Sequence, residues 1–113
     1  MVDAIKNQAY SLVATAPSPA TSGTSLVVTG GQGALFPTPP FDLLIWPTAA
    51  QPTTTNSEIA RCTGVSTDTL TIVRAQYGTS ARSVVIGDQC CQPIDQNIVI
   101  QMKYEGFPFD GIR

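Results

Sequence analysis

Four carboxylates come closest to a catalytic set in this 113-residue chain: Asp42, Glu58, Asp68 and Asp88. Paired carboxylates hydrolyse glycosidic bonds, with one acting as a general acid and the other as a base or nucleophile. Asp68 and Asp88, however, stand at predicted turns, where a short acidic side chain accepts hydrogen bonds from backbone N–H groups. The chain has no histidine, which excludes Ser-His-Asp and Cys-His arrangements. We therefore expect that the protein is not an enzyme.

The cysteines and glycines do not indicate a cofactor or a metal. Cys62, Cys90 and Cys91 are an odd set, and a zinc site would need histidine or a second cysteine pair. The adjacent pair lies on a predicted strand, where successive side chains point to opposite faces, so free buried thiols are expected. The phrase GGQG at 30–33 lacks the Lys-Ser/Thr pair and the following helix of a phosphate loop. We interpret its glycines as positions of positive φ, and we expect no cofactor and no metal.

Charge and composition limit the partners. Only 12% of the residues are charged, against about 25% in an average soluble domain. The net charge is −2 and the six basic residues are scattered, so nucleic acid is not an expected partner. The N-terminal residues lack the basic and apolar regions of a signal peptide. No apolar run approaches the roughly 20 residues of a membrane helix, so we expect synthesis in a cytosol and no membrane partner.

The hydrophobic pattern predicts an all-β fold, a small β-sandwich or barrel of six to eight short strands with extended N- and C-terminal arms. We divide the chain into an N-terminal arm (1–9, a short helix or a loose arm), a β-domain (10–104) and a C-terminal tail (105–113). Residues 94–104 fit both strand alternation and a helix face, and their β-branched content favours an extended form. The predicted strands are 10–16, 25–29, 41–46, 58–65, 70–74 and 90–92.

The segment 68–88 predicts one further strand. Leu70 and Ile72 share a face of the strand that follows the turn at 66–68, and this strand pairs with 58–65. Val84 and Ile86 would share a face of the next strand, which Gly87 would end. We therefore expect two strands around a glycine-containing connection.

Three arginines stand near the ends of apolar strand faces. Alternation places Arg61 on the face of Ile59 and Val65, while Arg74 and Arg82 flank the glycine-containing connection. One interpretation is a barrel rim of salt bridges, and the other is a contact between subunits, where arginine is enriched. The acidic residues available for pairing are Glu58, Asp68 and Asp88.

Aromatic residues add further binding candidates. We interpret Trp46 as a core anchor or subunit contact rather than a platform for sugars. Phe107 and Phe109, around a proline in the tail, are expected to dock onto the domain or a neighbouring copy. A carbohydrate-binding module using Trp46, Tyr77 or Phe107 is an open alternative. The predicted interface residues are Trp46, Arg74, Tyr77, Arg82, Phe107 and Phe109.

Residues 14–92 resemble a domain of the structural proteins of tailed-bacteriophage virions. The matching phrases are ATAPSPATSGTSLVVTGGQGALFP, PFDLLIWP and NSEIARCTGVSTDTLTIVRAQYGTSARSVVIGDQ. The most specific part is R-A-Q-x-G-T-S-A-R followed by V-x-x-G-D-Q. The chain departs from the pattern at Tyr77, where the resemblance implies a small or acidic residue, and at Cys90 and Cys91, where it implies apolar and small residues.

The resemblance implies a place in the virion, after assembly in the host bacterial cytoplasm. Related segments occur in fibre, tail and head-decoration proteins. A short chain with arms at both ends favours a capsid decoration (cement) protein that binds the outer surface of the major capsid lattice and stabilises it. The implied partners are the major capsid protein and copies of the chain itself, as a homotrimer; a glycan receptor is not favoured. The alternative is a short fibre or adaptor protein of the tail, baseplate or capsid vertex.

Overall fold

The strands of this chain form a closed barrel, and their alternating apolar residues face its interior. The computed structural model describes residues 3–95, and within them six antiparallel strands follow one another around the barrel in the order β1-β2-β5-β4-β3-β6. The predicted all-β class is confirmed, as a barrel rather than a sandwich. A short 3-10 helix, Gln32–Leu35, lies between the second and third strands. The strands are β1 (Tyr10–Thr15), β2 (Ser25–Val28), β3 (Phe41–Trp46), β4 (Glu58–Ser66), β5 (Thr69–Val73) and β6 (Gln89–Cys91).

Side chains fill the interior of the barrel, as the small number of strands requires. Each strand sends alternate residues inward, and the largest are almost fully buried. Burial of one such aliphatic or aromatic side chain contributes about 1.5–3 kcal/mol, so the core is the main source of stability. The core residues are Ala9, Val13, Leu26, Val28, Phe36, Phe41, Leu43, Ile45, Ala60, Cys62, Leu70, Ile72, Val84 and Cys90.

A β-bulge in β4 corrects one predicted face. The register against β5 shifts between Cys62 and Gly64, which inserts one residue and reverses the alternation beyond it. Val65 therefore packs against the core, whereas Arg61 lies on the outer face of β4 beside Ile59. The prediction that Arg61 and Val65 share a face is wrong for this reason.

The predicted strand at 84–86 is also wrong. Both edges of β5 are already paired, with β2 on one side and β4 on the other, so no edge is left for a further hairpin partner. Residues 74–88 form a loop instead. Val84 enters the core with 0% exposure, while Val85 and Ile86 are 52% and 71% exposed. The predicted pairing of β4 with β5 is confirmed.

Three loops meet at one end of the barrel, which we call the loop end. They connect β1 to β2 (16–24), β3 to β4 (47–57) and β5 to β6 (74–88). Adjacent antiparallel strands bring these connections to the same end. The opposite end carries the N-terminal arm, the 29–40 segment and the β4–β5 turn. Within residues 3–95, the loop end therefore holds most of the residues outside the strands.

The N-terminal arm lies against the barrel and is not helical over residues 3–9. The backbone N–H of Gln92 donates to the Ala9 carbonyl at 2.9 Å. The side chain of Gln92 donates to the Ala4 carbonyl at 2.7 Å and accepts from the Lys6 N–H at 3.2 Å. These bonds hold the arm along the start of β1. The predicted tail at 105–113 and all but the first two residues of the strand-or-helix segment 94–104 lie outside the described residues; residues 94 and 95 are in neither a strand nor a helix.

The turn between β4 and β5 is attached to the 3-10 helix by a carboxylate. Asp68 accepts backbone N–H bonds from Gly31 at 3.1 Å and Gly33 at 2.9 Å, and these bonds hold the pKa of Asp68 below its ordinary value. Of the three glycines in GGQG, Gly31 has the expected positive φ, 83°, whereas the prediction is wrong for Gly30 and Gly33. Gly33 is needed for close approach, because a Cβ there would lie 1.8 Å from the carbonyl oxygen of Thr67.

Substitution Gly33→Ala should destabilise the fold. The added methyl group would overlap the Thr67 backbone, and the structure can accommodate it only by separating the two turns. We expect a loss of about 1–3 kcal/mol or more in the free energy of unfolding, the usual range for overpacking. Urea denaturation would measure it. Gly30→Ala is the matched control, since nothing lies within 4 Å of its added Cβ, and equal losses for both variants would contradict the close-approach account.

Candidate functional site

The loop end is organised around one buried carboxylate. Glu58, the first residue of β4, is 0% exposed. Its two oxygens accept a bidentate pair from Arg74, with Nε to Oε2 at 2.8 Å and Nη2 to Oε1 at 2.9 Å. The backbone N–H groups of Ala75 (2.8 Å) and Arg82 (2.9 Å) complete the set. Each oxygen therefore has two donors, the arrangement that a buried carboxylate needs.

Arg74 connects this carboxylate to a neighbouring loop. Its Nη1 donates to the Gly23 carbonyl (3.0 Å), and the second N–H of Nη2 is shared between the carbonyls of Ala20 (3.1 Å) and Arg82 (2.8 Å). Its side chain is only 7% exposed. The planar guanidinium supplies several donors in fixed directions, which a lysine could not. One ion pair thus joins the 16–24 loop, the start of β4 and the 74–88 loop.

Arg82 and Asp88 hold the second half of the 74–88 loop. Arg82 Nη2 donates to Asp88 Oδ2 at 2.8 Å, and Nη1 donates to the Asn56 carbonyl at 2.8 Å. The same Asp88 oxygen accepts the Val85 N–H at 3.0 Å. The R-A-Q-x-G-T-S-A-R and G-D-Q phrases therefore build an ordered loop. The salt-bridged rim predicted for these arginines is observed here.

Hydrogen bonding decides the ionisation of Glu58. Burial alone would raise its pKa, but the donors on Arg74, Arg82 and Ala75 outweigh burial and hold the pKa below the ordinary 4.5. A catalytic general acid needs the opposite, a pKa raised toward neutrality. The backbone hydrogen bonds from Gly31 and Gly33 likewise lower the pKa of Asp68. Two of the four candidate carboxylates are thus tuned to remain charged.

Arg61 forms a second ionic cluster on the barrel wall. Its guanidinium donates to both oxygens of Asp3, at 2.6 and 2.9 Å, and to Asp42 at 2.9 Å. These hydrogen bonds, those from Asp3 foremost, raise the pKa of Arg61. Tyr77 adds a long hydrogen bond from its hydroxyl to Asp42, at 3.3 Å. The cluster attaches the N-terminal arm to β3 and β4.

The cysteines are free, as predicted. Burial raises the pKa of Cys62 to about 11 and that of Cys90 to about 12, so both remain protonated thiols near neutral pH. Cys91 is half-buried on the opposite face of β6. Over residues 3–95, no three His, Cys, Asp or Glu residues are grouped to hold a metal ion. In the same part of the chain, no helix is long and apolar enough to cross a bilayer.

A groove opens beside the ion pairs at the loop end. Its walls are residues 52–57 and 77–82, and its floor is formed by Leu44 and Ile59 on the outer faces of β3 and β4. The volume is about 890 Å³, within the usual range of ligand sites. Tyr77 stands in one wall with 37% exposure. We call this feature the hydroxyl groove, because seven of its lining residues carry hydroxyl groups: Thr53, Thr54, Thr55, Ser57, Tyr77, Thr79 and Ser80.

The structure separates the predicted interface residues. Trp46 is 8% exposed, lies 6.2 Å from the ring of Tyr10 and donates from Nε1 to the Ala50 carbonyl. Trp46 and Arg74 therefore have structural roles within the chain. Tyr77 and Arg82 line the hydroxyl groove. Phe107 and Phe109 lie outside the described residues.

The sequence did not indicate Glu58 as the centre of the loop end, nor the two groove walls. The TTTN run at 53–56 resembles any polar loop when it is considered alone. A usable signal was the presence of two hydroxyl-rich stretches, 53–57 and 79–80, next to residues of one ion-pair network.

A scan against protein-family models and a search of curated proteins both find no match to this chain.

Removal of the cation from the buried Glu58–Arg74 pair should destabilise the fold. Arg74→Met keeps the length of the side chain but leaves the Glu58 carboxylate buried without its partner. We expect a loss of about 3–5 kcal/mol in the free energy of unfolding, measured by urea denaturation. The double variant Glu58→Leu/Arg74→Met removes both charges and should be less destabilised than Arg74→Met alone. If the double variant has the lower free energy of unfolding of the two, the unpaired buried charge does not explain the destabilisation of Arg74→Met.

The same carboxylate should make stability depend on pH. Because the pKa of Glu58 is lowered in the folded state, its contribution is complete above 4.5 and is lost as the pH falls below that value. Glu58→Gln should be less stable than the wild type at neutral pH and should lose less stability on acidification. Thermal unfolding across this pH range would test the difference. Parallel pH profiles would show that Glu58 does not titrate as described.

Proposed function

We propose that this protein is a structural component of a tailed-phage virion, a capsid decoration protein that binds the outer surface of the major capsid lattice. The support begins with the resemblance over residues 14–92. Its most specific phrases contain Arg74, Arg82 and Asp88, whose side chains hold the loop end together. The resemblance thus includes residues that determine the conformation of the loops at the loop end. The output of the protein is binding, without a catalytic step.

The observation that carries the proposal is a pair of exposed apolar side chains on an ordered loop, which we call the apolar tip. Val85 and Ile86 are 52% and 71% exposed, yet they are flanked by the Arg82–Asp88 ion pair and by buried Val84. Two adjacent apolar side chains exposed on a well-ordered loop are suited to contact another protein. We assign this tip to the major capsid protein.

The charge distribution favours close packing against other coat proteins. Arg61, Arg74 and Arg82 are all engaged in ion pairs within the chain. Their charges are therefore satisfied without a partner molecule. Interface cores are depleted in charged residues, and a barrel that neutralises its own arginines can approach neighbouring subunits at little electrostatic cost.

The mechanism is the addition of buried interface. Each apolar side chain that becomes buried at the tip contributes about 1.5–3 kcal/mol, less the cost of association. Many copies on a lattice add these contributions, and a homotrimer would bind with three tips at once. The result is resistance to the outward pressure of packaged DNA.

The copy number in purified particles tests the proposal. Quantitative mass spectrometry of virions should find this chain in a number comparable to that of the capsomers. A handful of copies would instead place it at the tail, baseplate or a vertex, as a short fibre or adaptor protein. Absence from mature particles would remove the virion proposal altogether.

The apolar tip gives a specific test of docking. The double variant Val85→Ser/Ile86→Ser should fold with nearly unchanged stability, because both side chains are exposed. Its occupancy on particles, measured by densitometry after assembly, should fall about tenfold or more, which corresponds to 1.4 kcal/mol. Val73→Thr, which changes an exposed valine on the barrel wall, is the control and should bind normally. Full occupancy of the double variant would exclude the tip as the contact.

A further inference from the structure

We propose that the hydroxyl groove is a binding site for a neutral oligosaccharide, with the ring of Tyr77 as the platform on which a sugar stacks. The proposal is independent of the capsid contact at Val85 and Ile86. It assigns a second binding activity to a different surface of the loop end.

The first argument is the backbone conformation of Tyr77. Its φ is 53°, in the left-handed region where a bulky side chain is an outlier and glycine or asparagine is favoured. The preceding Ala75 and the following Gly78 also have positive φ, 54° and 81°. Strain of this kind collects at functional sites. Glycine or asparagine would adopt this backbone conformation with less strain, so the turn itself does not require a tyrosine at this position.

The second argument is that the groove is already ordered. Asn56 accepts the Thr53 N–H at 2.7 Å and donates to the Gln51 carbonyl at 2.9 Å, which fixes one wall. Thr79 accepts the Ile59 N–H at 3.0 Å, which attaches the other wall to β4. Arg82 joins the two walls through the Asn56 carbonyl. The groove is therefore largely ordered before a ligand binds, so binding loses little further conformational entropy of the protein.

The third argument is the chemistry of the lining. A sugar presents an apolar C–H face and a rim of hydroxyl groups, which match an exposed aromatic ring and a set of threonine and serine hydroxyls. The apolar floor of Leu44 and Ile59 supplies further contact area. Arg82 is the cation in the lining, and two of its nitrogens are committed to Asn56 and Asp88. The lining contains no carboxylate, so the groove is suited to an uncharged ligand.

The topology argues against an extended peptide in the groove. Peptides commonly bind by adding a strand to a free sheet edge. The barrel is closed, and the strands beneath the groove, β3 and β4, are paired on both sides. No ladder of free backbone groups is offered to a peptide there. The available contacts are the ring of Tyr77, the hydroxyls of Thr54 and Ser80, and the remaining hydrogen-bonding capacity of hydroxyls already bonded within the chain. These contacts favour a saccharide.

The experiment is a glycan array of neutral oligosaccharides followed by NMR titration of the full chain. We expect at least one neutral glycan on the array to bind, and its titration to shift the backbone amides of residues 53–57 and 77–81. Tyr77→Asn is the main variant, because asparagine tolerates a left-handed backbone. It should fold with a melting temperature close to that of the wild type, because relief of the left-handed tyrosine offsets the loss of the long hydrogen bond to Asp42. It should bind about tenfold more weakly or worse.

Two controls separate binding from folding. Tyr77→Phe keeps the ring and should retain binding. Val73→Thr changes an exposed valine outside the groove lining and should leave binding unchanged. The proposal is overturned if no neutral glycan on the array binds, or if Tyr77→Asn binds as tightly as the wild type. It is also overturned if the groove amides shift with protein concentration alone, because a second copy would then be the occupant.

Discussion

The bidentate pair between Glu58 and Arg74 is the interaction on which the loop end depends. A carboxylate with 0% exposure at the start of β4 is tolerated only because four donors surround it. Those donors all come from the loop 74–88, and the same guanidinium reaches the carbonyls of the β1–β2 loop. The barrel core fixes the strands, and this pair fixes how two connections, 16–24 and 74–88, are arranged over the start of β4; the third, 47–57, is held by the bond from Arg82 to the Asn56 carbonyl.

Both proposed binding surfaces follow from that arrangement. The apolar tip at Val85 and Ile86 and the wall that contains Tyr77 belong to one loop, 74–88. The tip is held by Asp88, and the groove wall by the bond from Arg82 to the opposite wall. A loop of this length would ordinarily be mobile and would lose affinity through ordering on binding. Here the ion pairs supply the order in advance, so exposed side chains are presented at fixed positions.

The sequence predicted the strands well because their signal is local. The period of two in 41–46 and 69–73 marks the inward faces, and the two-residue turn at Thr67 and Asp68 marks a hairpin. The failures have nonlocal causes. Alternation could not reveal the bulge at Gly64, nor that both edges of β5 are taken, which turns 84–86 from a strand into a loop. The groove could not be predicted from the sequence for the same reason. Its walls are 20 or more residues apart along the chain and come together only in the folded barrel.

Native-state hydrogen exchange of the amides bonded to Glu58 tests the central claim most directly. If the buried pair orders the loop, the N–H groups of Ala75 and Arg82 should exchange as slowly as amides within β4 and β5, although both lie outside the strands. Exchange at the rate of an exposed turn amide, such as that of Thr55, would show that the loop opens freely. The account of a preformed loop end would then be contradicted.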